Sequence, residues 1–210
     1  MAKPFYITHV KKKLDIMANY CFTKYAIEGK KEVLEQVADA INRGEGWMMK
    51  SIENLGLKVD EDEYEYAYRA EWETGARVEE RDGVIVLFFT QAYPWEEIHI
   101  IADVLGQLGA KEAKIYYFIE CSEDWEPQTS DFERKYFPEN YRVWTEEDED
   151  DLYFITEEEA LAHIRKQYKL SDEYDTIEKI QEYCDDKDLA CGFNEIDRYR
   201  DNIEIGGDEE

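Results

Sequence analysis

Residues 84–90 of this chain read VIVLFFT, a run in which only the last side chain is polar. A short run that is apolar at both odd and even positions is typical of a strand buried on both faces of a sheet. The tripeptide Arg81-Asp82-Gly83 just before it is a turn signal. We therefore predict a turn that leads into a doubly buried strand.

The chain on either side of this run supplies three more strands and two long helices. Residue spacing predicts strands at residues 19–27, 64–72 and 114–121. Apolar stripes predict one helix at 30–43, ended by Gly44, and one from Pro94 to Gly109, with a short inserted helix at 47–57. The order is βαββαβ, so the right-handed crossover rule predicts a ferredoxin-like α+β fold, with both helices on one face of an antiparallel sheet.

The chain after residue 125 is predicted to be a smaller α+β unit. Residues 126–140 have no regular pattern, and short strands at 141–144 and 152–155 flank six consecutive acids at 146–151. One helix is predicted to begin at Thr156, where Glu159 completes a capping box, and another at Asp175, with Glu178 in its first turn.

These elements divide the chain into three segments. Residues 1–16 are either an N-terminal arm or a mis-assigned start, in which case translation begins at Met17. Residues 17–125 form the ferredoxin-like domain. Residues 126–210 form an acidic C-terminal α+β extension that packs on it.

The net charge of −27 limits the partners of this chain. Residues 1–112 hold 21 acidic and 14 basic residues, whereas residues 113–210 hold 31 acidic and 11 basic residues. Because like charges repel, direct binding to nucleic acids or to membranes is not expected. A protein partner with a basic surface fits this charge, and so does acidity that only keeps the protein soluble. The sequence leaves the oligomeric state open.

The sequence also predicts a cytoplasmic location. Its start lacks the apolar core of a secretory leader, and no stretch reaches the length of a membrane span. The four cysteines are scattered without a CxxC pair, so we expect reduced, buried thiols. They are Cys21, Cys121, Cys184 and Cys191.

Several short segments resemble one protein family. Met17-Ala18-Asn19-Tyr20-Cys21, with a strand that ends in Ile27-Glu28-Gly29, is similar to the opening of the YubB-like ferredoxin-fold proteins of bacterial plasmids, phages and other mobile elements. Further similar segments follow in order at 69–72, 90–94, 115–120, 136–141 and 153–154. The sequence departs from the family at Cys121-Ser122, where the relatives carry a second acid and a Pro-Gly turn. The resemblance implies the fold and a mobile-element context, and it brings no activity.

No motif predicts a catalytic, cofactor or metal site. The chain has no HExxH, Gly-x-Ser-x-Gly, P-loop or GxGxxG pattern, and His9, His99 and His163 do not cluster in sequence. Residues 148–159 have acids at positions 1, 3 and 12 of a calcium loop. Position 6, which must be glycine, is Tyr153, so we treat this match as a coincidence.

The candidate interaction surface comprises Arg69, Glu71, Trp72, Glu120 and Trp125. It lies near the junction of the two predicted units. Aromatic residues on the sheet, such as Tyr116 and Phe118, have acidic rather than basic neighbours. Core packing, or coverage by the C-terminal elements, therefore explains them better than RNA binding does.

The sequence is compatible with three functions. The first is a non-enzymatic protein-interaction module. The second is an acidic mimic of DNA that occupies the basic cleft of a host DNA-binding enzyme. The third is a Mg²⁺-dependent hydrolase, which requires carboxylates such as Glu71, Glu120 and Asp124 to meet.

Overall fold

The computed structural model describes residues 21–58, 70–93, 99–121, 127–148, 150–200, 203 and 205. This part of the chain forms a mixed α+β fold with five helices and two sheets of mostly antiparallel strands. The strands are β1 (Cys21–Glu28), β2 (Glu71–Arg81), β3 (Val84–Tyr93), β4 (Lys114–Cys121), β5 (Gln128–Thr129), β6 (Tyr141–Thr145), β7 (Leu152–Phe154), β8 (Cys191–Glu195) and β9 (Asp197–Arg198). The helices are α1 (Lys31–Asn42), α2 (Met48–Asn54), α3 (His99–Gln107), α4 (Glu157–Tyr168) and α5 (Ile177–Lys187).

The larger sheet is built around the strand predicted from VIVLFFT. Its order is β2-β3-β1-β4-β5-β9, and every pairing is antiparallel except that of β5 with β9. β3 lies between β2 and β1. Val86 and Leu87 point to opposite faces of the sheet, and both are fully buried. The prediction of a strand buried on both faces is confirmed.

One face of this sheet packs against the first three helices. Alternate residues of β1, β3 and β4 share a hydrophobic cluster with the apolar stripes of α1, α2 and α3. Examples from the sheet are Ile27, Leu87 and Ile119, and examples from the helices are Leu34 and Leu105. Burial of each such side chain stabilises the fold by about 1.5–3 kcal/mol before the loss of conformational entropy is counted.

The other face of the sheet is covered by the C-terminal half of the chain. Phe88 and Phe118 on this face pack against Tyr136 and Phe137 from the loop after β5, and against Ile196. The strands are therefore apolar on both faces because both faces are buried. This coverage explains the sheet aromatics, as the sequence predicts.

The smaller sheet forms a third layer of its own. Its order is β7-β6-β8, and its core side chains pack with α4 and α5. Thr156 caps α4 in a complete capping box with Glu159, as the sequence predicts. The N-cap of α5 is Thr176 rather than the predicted Asp175. The Thr176 hydroxyl accepts the Lys179 N–H, whereas Asp175 forms an ion pair with the Lys179 side chain.

After β9 the chain returns to the first hydrophobic cluster. Tyr199 and Ile203 pack against that cluster, and Ile205 is buried within it. The Tyr199 and Tyr117 hydroxyls form a hydrogen bond. The C-terminal segment therefore contacts both faces of the larger sheet.

The second strand differs from its prediction. The sequence places it at 64–72, and residues 59–69 lie outside the described part of the chain. β2 instead spans Glu71–Arg81 and runs directly into the turn at Asp82-Gly83. β2 is an edge strand, and its register with β3 is irregular between Trp72 and Arg77. Its residues therefore lack the regular alternation of apolar and polar side chains on which the prediction relied.

Two smaller predictions also need correction. Gly44 follows α1 as predicted, but it lacks the left-handed conformation of a glycine C-cap. The backbone at Gly44 lies so close to α2 that a Cβ added there would be 2.1 Å from Ser51 Oγ. Cys21 is disulfide-bonded, so the prediction of a reduced thiol is wrong for this residue, whereas Cys184 and Cys191 are free. Cys121 stands opposite Cys21 in the register of β1 and β4.

The loop that covers the second face is held by one buried acid and one arginine. Asp131 has no exposed surface, and its carboxylate accepts the backbone N–H groups of Lys135 (3.0 Å), Tyr136 (2.6 Å) and Phe137 (2.8 Å). Arg198 donates to the backbone carbonyls of Asp131 (2.6 Å) and Phe137 (2.7 Å), and also to that of Glu139. The two side chains thus satisfy both kinds of backbone group in one loop.

We expect Asp131→Asn to destabilise the protein strongly. The amide has one acceptor oxygen where the carboxylate has two, and its NH₂ group would face backbone donors. The free energy of unfolding should fall by about 2–4 kcal/mol, because buried groups would lose charge-assisted hydrogen bonds. Urea unfolding followed by circular dichroism measures the change. Glu133→Gln is the matched control, since Glu133 is exposed in the same loop. Equal stability of the two variants would contradict the role given to Asp131.

Candidate functional site

Two described residues of the predicted interaction surface lie on opposite faces of the larger sheet. Glu71 is exposed, whereas Trp72 is the next residue on β2 and points to the opposite face. Trp72 packs edge-on against Phe89, with 5.1 Å between the ring centroids, and its Nε1 donates to Ser51 Oγ at 2.7 Å. It therefore belongs to the first core. Arg69 and Trp125 lie outside the described residues.

Glu71 and Glu120 do not approach each other. Glu71 pairs with Ala92 of β3, Ala92 pairs with Phe22 of β1, and Phe22 pairs with Glu120 of β4. Three strand spacings separate the two acids by about 14 Å. A shared Mg²⁺ needs ligands about 2 Å from the ion, so these two acids are too far apart to bind one. Asp124 lies outside the described residues, and among those described no group of three potential metal ligands converges.

Glu120 instead takes part in a contact between the two sheets. It forms an ion pair with Lys24, whose Nζ lies 5.2 Å from the Phe118 ring centroid and 5.3 Å from that of Tyr153. Burial, together with the nearby Glu120 carboxylate, raises the pKa of Tyr153. Tyr153 belongs to β7, so this cluster joins the smaller sheet to the larger one. At this position the junction of the two halves is a packed interior.

A second ionic cluster lies at the other end of β1. Glu28 accepts Lys135 Nζ at 2.5 Å and the Tyr136 hydroxyl at 2.8 Å. Burial alone would raise the pKa of Glu28, but the hydrogen bonds from Lys135 and Tyr136 outweigh it and lower that pKa. The hydrogen bond to Glu28 also raises the pKa of Lys135, which keeps its amine protonated. A protonated lysine is no nucleophile, so this cluster ties the loop to β1 and performs no chemistry of that kind.

Asp148, in the acidic run after β6, is largely buried. Asp148 accepts hydrogen bonds from Thr145 Oγ1 (2.8 Å) and Gln167 Nε2 (2.7 Å), and it contacts His163 Nε2 at 3.0 Å. His163 also stacks near Phe154, with 5.5 Å between ring centroids. Both oxygens of Asp148 have partners within the protein. The carboxylate therefore fastens the β6–β7 turn to α4.

The exposed aromatic side chain of Trp144 is a feature that the sequence predictions missed. Trp144 is 36% exposed on β6, and its indole lies directly over Gly192 of β8. A Cβ added at Gly192 would lie 1.8 Å from the indole Nε1, so only glycine fits beneath the ring. The isolated glycine in a strand is a sequence signal for such a close approach. Contact with the backbone of β8 fixes the orientation of the ring before any partner binds.

The surface around this sheet is strongly acidic. Glu146 and Glu147 follow Trp144 closely in the chain and are exposed. Among described residues 141–190, exposed lysines are confined to Lys166, Lys169, Lys179 and Lys187. The exposed acids in the same range include Asp150, Glu157, Glu158, Glu159, Asp172, Glu173, Glu178, Glu182, Asp185, Asp186 and Asp188. Trp144 is therefore an ordered, exposed aromatic side chain on a unit whose exposed charges are mostly negative.

Comparison with known proteins finds no matching family model, no similar curated protein and no similar solved structure. The YubB-like resemblance stays a prediction from the sequence. Within the described part of the chain, no helix has the length and apolar character needed to cross a membrane.

We expect Asp148→Asn to weaken the protein in a pH-dependent way. Burial raises the pKa of Asp148, but the bonds from Thr145, His163 and Gln167 outweigh it and lower that pKa below the usual 3.8. The ionised group therefore contributes stability above about pH 4, and this stability is lost as the pH falls through the folded-state pKa. At pH 7 the variant should lose about 1–3 kcal/mol.

Urea unfolding of both proteins between pH 7 and pH 3 measures this effect. The difference between them should shrink as the pH falls below about 4, because the wild-type carboxyl then becomes neutral as well. Asp172→Asn, an exposed acid on the same unit, is the control and should leave the unfolding midpoint unchanged. A difference of constant size at every pH would show that the charge of Asp148 is not the cause.

Proposed function

We propose that this protein is a non-enzymatic protein-interaction module whose acidic C-terminal half binds a basic surface of a partner protein. Trp144 carries the proposal, because it is exposed, held against Gly192 and followed closely in the chain by the exposed acids Glu146 and Glu147. Tryptophan is enriched among the residues that dominate binding energy at protein interfaces. The ionic clusters within the described residues are occupied in joining segments of the chain, which fits a binding rather than a catalytic role.

The partner chemistry follows from the charges around the ring. A lysine or arginine over the face of an indole gains cation–π energy, and nearby acids add long-range attraction. Arg142, on the same face as Trp144, is already paired with Asp151 through Nη2 at 2.6 Å. A basic side chain from a partner would therefore meet an ordered ring, and the positive charge of Arg142 beside that ring is already neutralised by Asp151. Electrostatic steering by this surface would mainly raise the association rate.

We further propose that the module is a ferredoxin-like domain with a C-terminal extension, in a bacterial mobile-element protein of the YubB-like type. The order β2-β3-β1-β4 supports the first part. β2 and β3 are antiparallel neighbours, and β3 and β1 lie between β2 and β4. The packing of α1 and α3 into one cluster on one face supports it as well. The short motifs around Met17, Arg69 and Tyr136 support the second part.

We expect Trp144→Ala to weaken binding to a basic peptide. A fluorescein-labelled peptide of ten arginines is the probe, and fluorescence anisotropy at near-physiological salt measures its Kd. Loss of the ring should raise the Kd about three- to tenfold, because the cation–π contact and its apolar area disappear. Trp47→Ala is the matched control, since Trp47 is also exposed but lies outside the acidic half. Equal effects of the two variants, or none, would count against the Trp144 surface.

A second candidate function is DNA mimicry, which the exposed acids of α4 and α5 favour. A mimic binds through its charge pattern, so binding should depend on these acids and be competed by duplex DNA. Host extract passed over the immobilised protein tests it, with elution by duplex DNA. Recovery of a DNA-binding enzyme from wild type and from Trp144→Ala would support mimicry. Loss of that enzyme with Trp144→Ala, or its persistence after exposed α4 and α5 acids are changed to amides, would support the first proposal instead.

A further inference from the structure

Two free cysteines meet where α5 turns into β8. Cys184 is 1% exposed and belongs to the core of the C-terminal unit, whereas Cys191 packs against that core and is partly exposed. The two side chains share one hydrophobic cluster, and Cys191 lies close enough to the Cys184 thiol to contribute to raising its pKa. They come from different elements, so the fold itself holds them together.

The backbone around the pair is well defined. The Leu189 N–H donates to the Cys184 carbonyl at 2.9 Å, which closes the turn after α5. Asp188 in that turn has the left-handed conformation with a φ of 55°. Cys191 then pairs with Thr145 across β6 and β8. Helix end, turn and strand register together place one thiol beside the other.

We propose that Cys184 and Cys191 are a site of reversible disulfide formation, oxidised by a small-molecule disulfide such as glutathione disulfide. The Cys191 thiolate attacks one sulfur of glutathione disulfide, and one glutathione leaves as its thiolate. Cys184 then loses its proton to solvent, attacks the Cys191 sulfur and releases the second glutathione. Two protein thiols are oxidised and one glutathione disulfide is reduced to two glutathione molecules.

Exposure assigns the two roles. Cys191 is the accessible thiol, so it meets the oxidant first. Burial, with the hydrogen bond to Cys191, raises the pKa of Cys184 to about 12 and keeps it a thiol in the reduced protein. Cys184 therefore acts second, as the resolving thiol.

The bridge would act on the strand that carries the proposed interaction surface. Gly192, the glycine beneath Trp144, directly follows Cys191. A bond between α5 and β8 would fix this strand to the helical layer. The redox site does not depend on the proposed function, and its test involves no binding partner.

The experiment uses the full chain and reads out the bond directly. The protein is equilibrated in glutathione buffers of increasing disulfide content, alkylated under denaturing conditions and digested with trypsin. Lys187 lies between the two cysteines, so cleavage there leaves residues 180–187 and 188–198 joined only if the disulfide has formed. We expect this linked pair to appear as the buffer becomes oxidising and to disappear on reduction with dithiothreitol. The peptide that contains Cys21 reports separately on its own disulfide.

Two variants test the assigned roles. Cys184→Ser should retain a glutathione adduct on Cys191, because no thiol remains to resolve it. Cys191→Ser should form no adduct at Cys184 while folded. Circular dichroism checks that each variant is folded, and Cys191→Ala replaces Cys191→Ser if the serine variant is not. The proposal is overturned if wild type accumulates an unresolved adduct on Cys191, or if the linked peptides stay absent in fully oxidised glutathione.

Discussion

The pairing of Asp131 and Arg198 with one loop is the constraint on which the architecture depends. A loop can lie against an apolar sheet only if its N–H and carbonyl groups find partners, since no water reaches them there. Asp131 accepts from three consecutive N–H groups, and Arg198 donates to three carbonyls of the same loop. Tyr136 and Phe137 can then cover the second face of the sheet, and the smaller sheet follows from that coverage.

The acidity of this protein serves two different purposes. Several of its buried and half-buried acids join different elements of the fold, as Glu28 does with Lys135, Glu120 with Lys24 and Asp148 with His163. Its exposed acids are concentrated on the C-terminal unit, which also carries the exposed ring of Trp144. The first group explains the fold, and the second supports the proposal of a basic partner. The acidic run does not form a calcium loop, because both carboxylate oxygens of Asp148 are bound by Thr145, His163 and Gln167.

Features set by neighbouring residues were predictable from the sequence, and features set by distant residues were not. β3, α1 and the capping box of α4 depend on local patterns, and all three lie where the sequence predicts them. The Arg198 contacts, the Lys24–Glu120 pair and the placement of Trp144 over Gly192 join positions whose proximity only the tertiary fold creates. Two residues of the predicted surface could have been separated by local pattern alone. Glu71 and Trp72 are adjacent in a strand, so alternation alone should have assigned them to opposite faces.

The return of the chain to its first core has a consequence for synthesis. Tyr199, Ile203 and Ile205 complete a cluster whose other members are almost all encoded before residue 120. A chain emerging from the ribosome therefore holds an unfinished core until residue 205 has been translated. During that interval both faces of the central sheet lack their final cover, and its apolar strands are open to wrong partners. A chain truncated before Tyr199 would therefore have a defect in its first core.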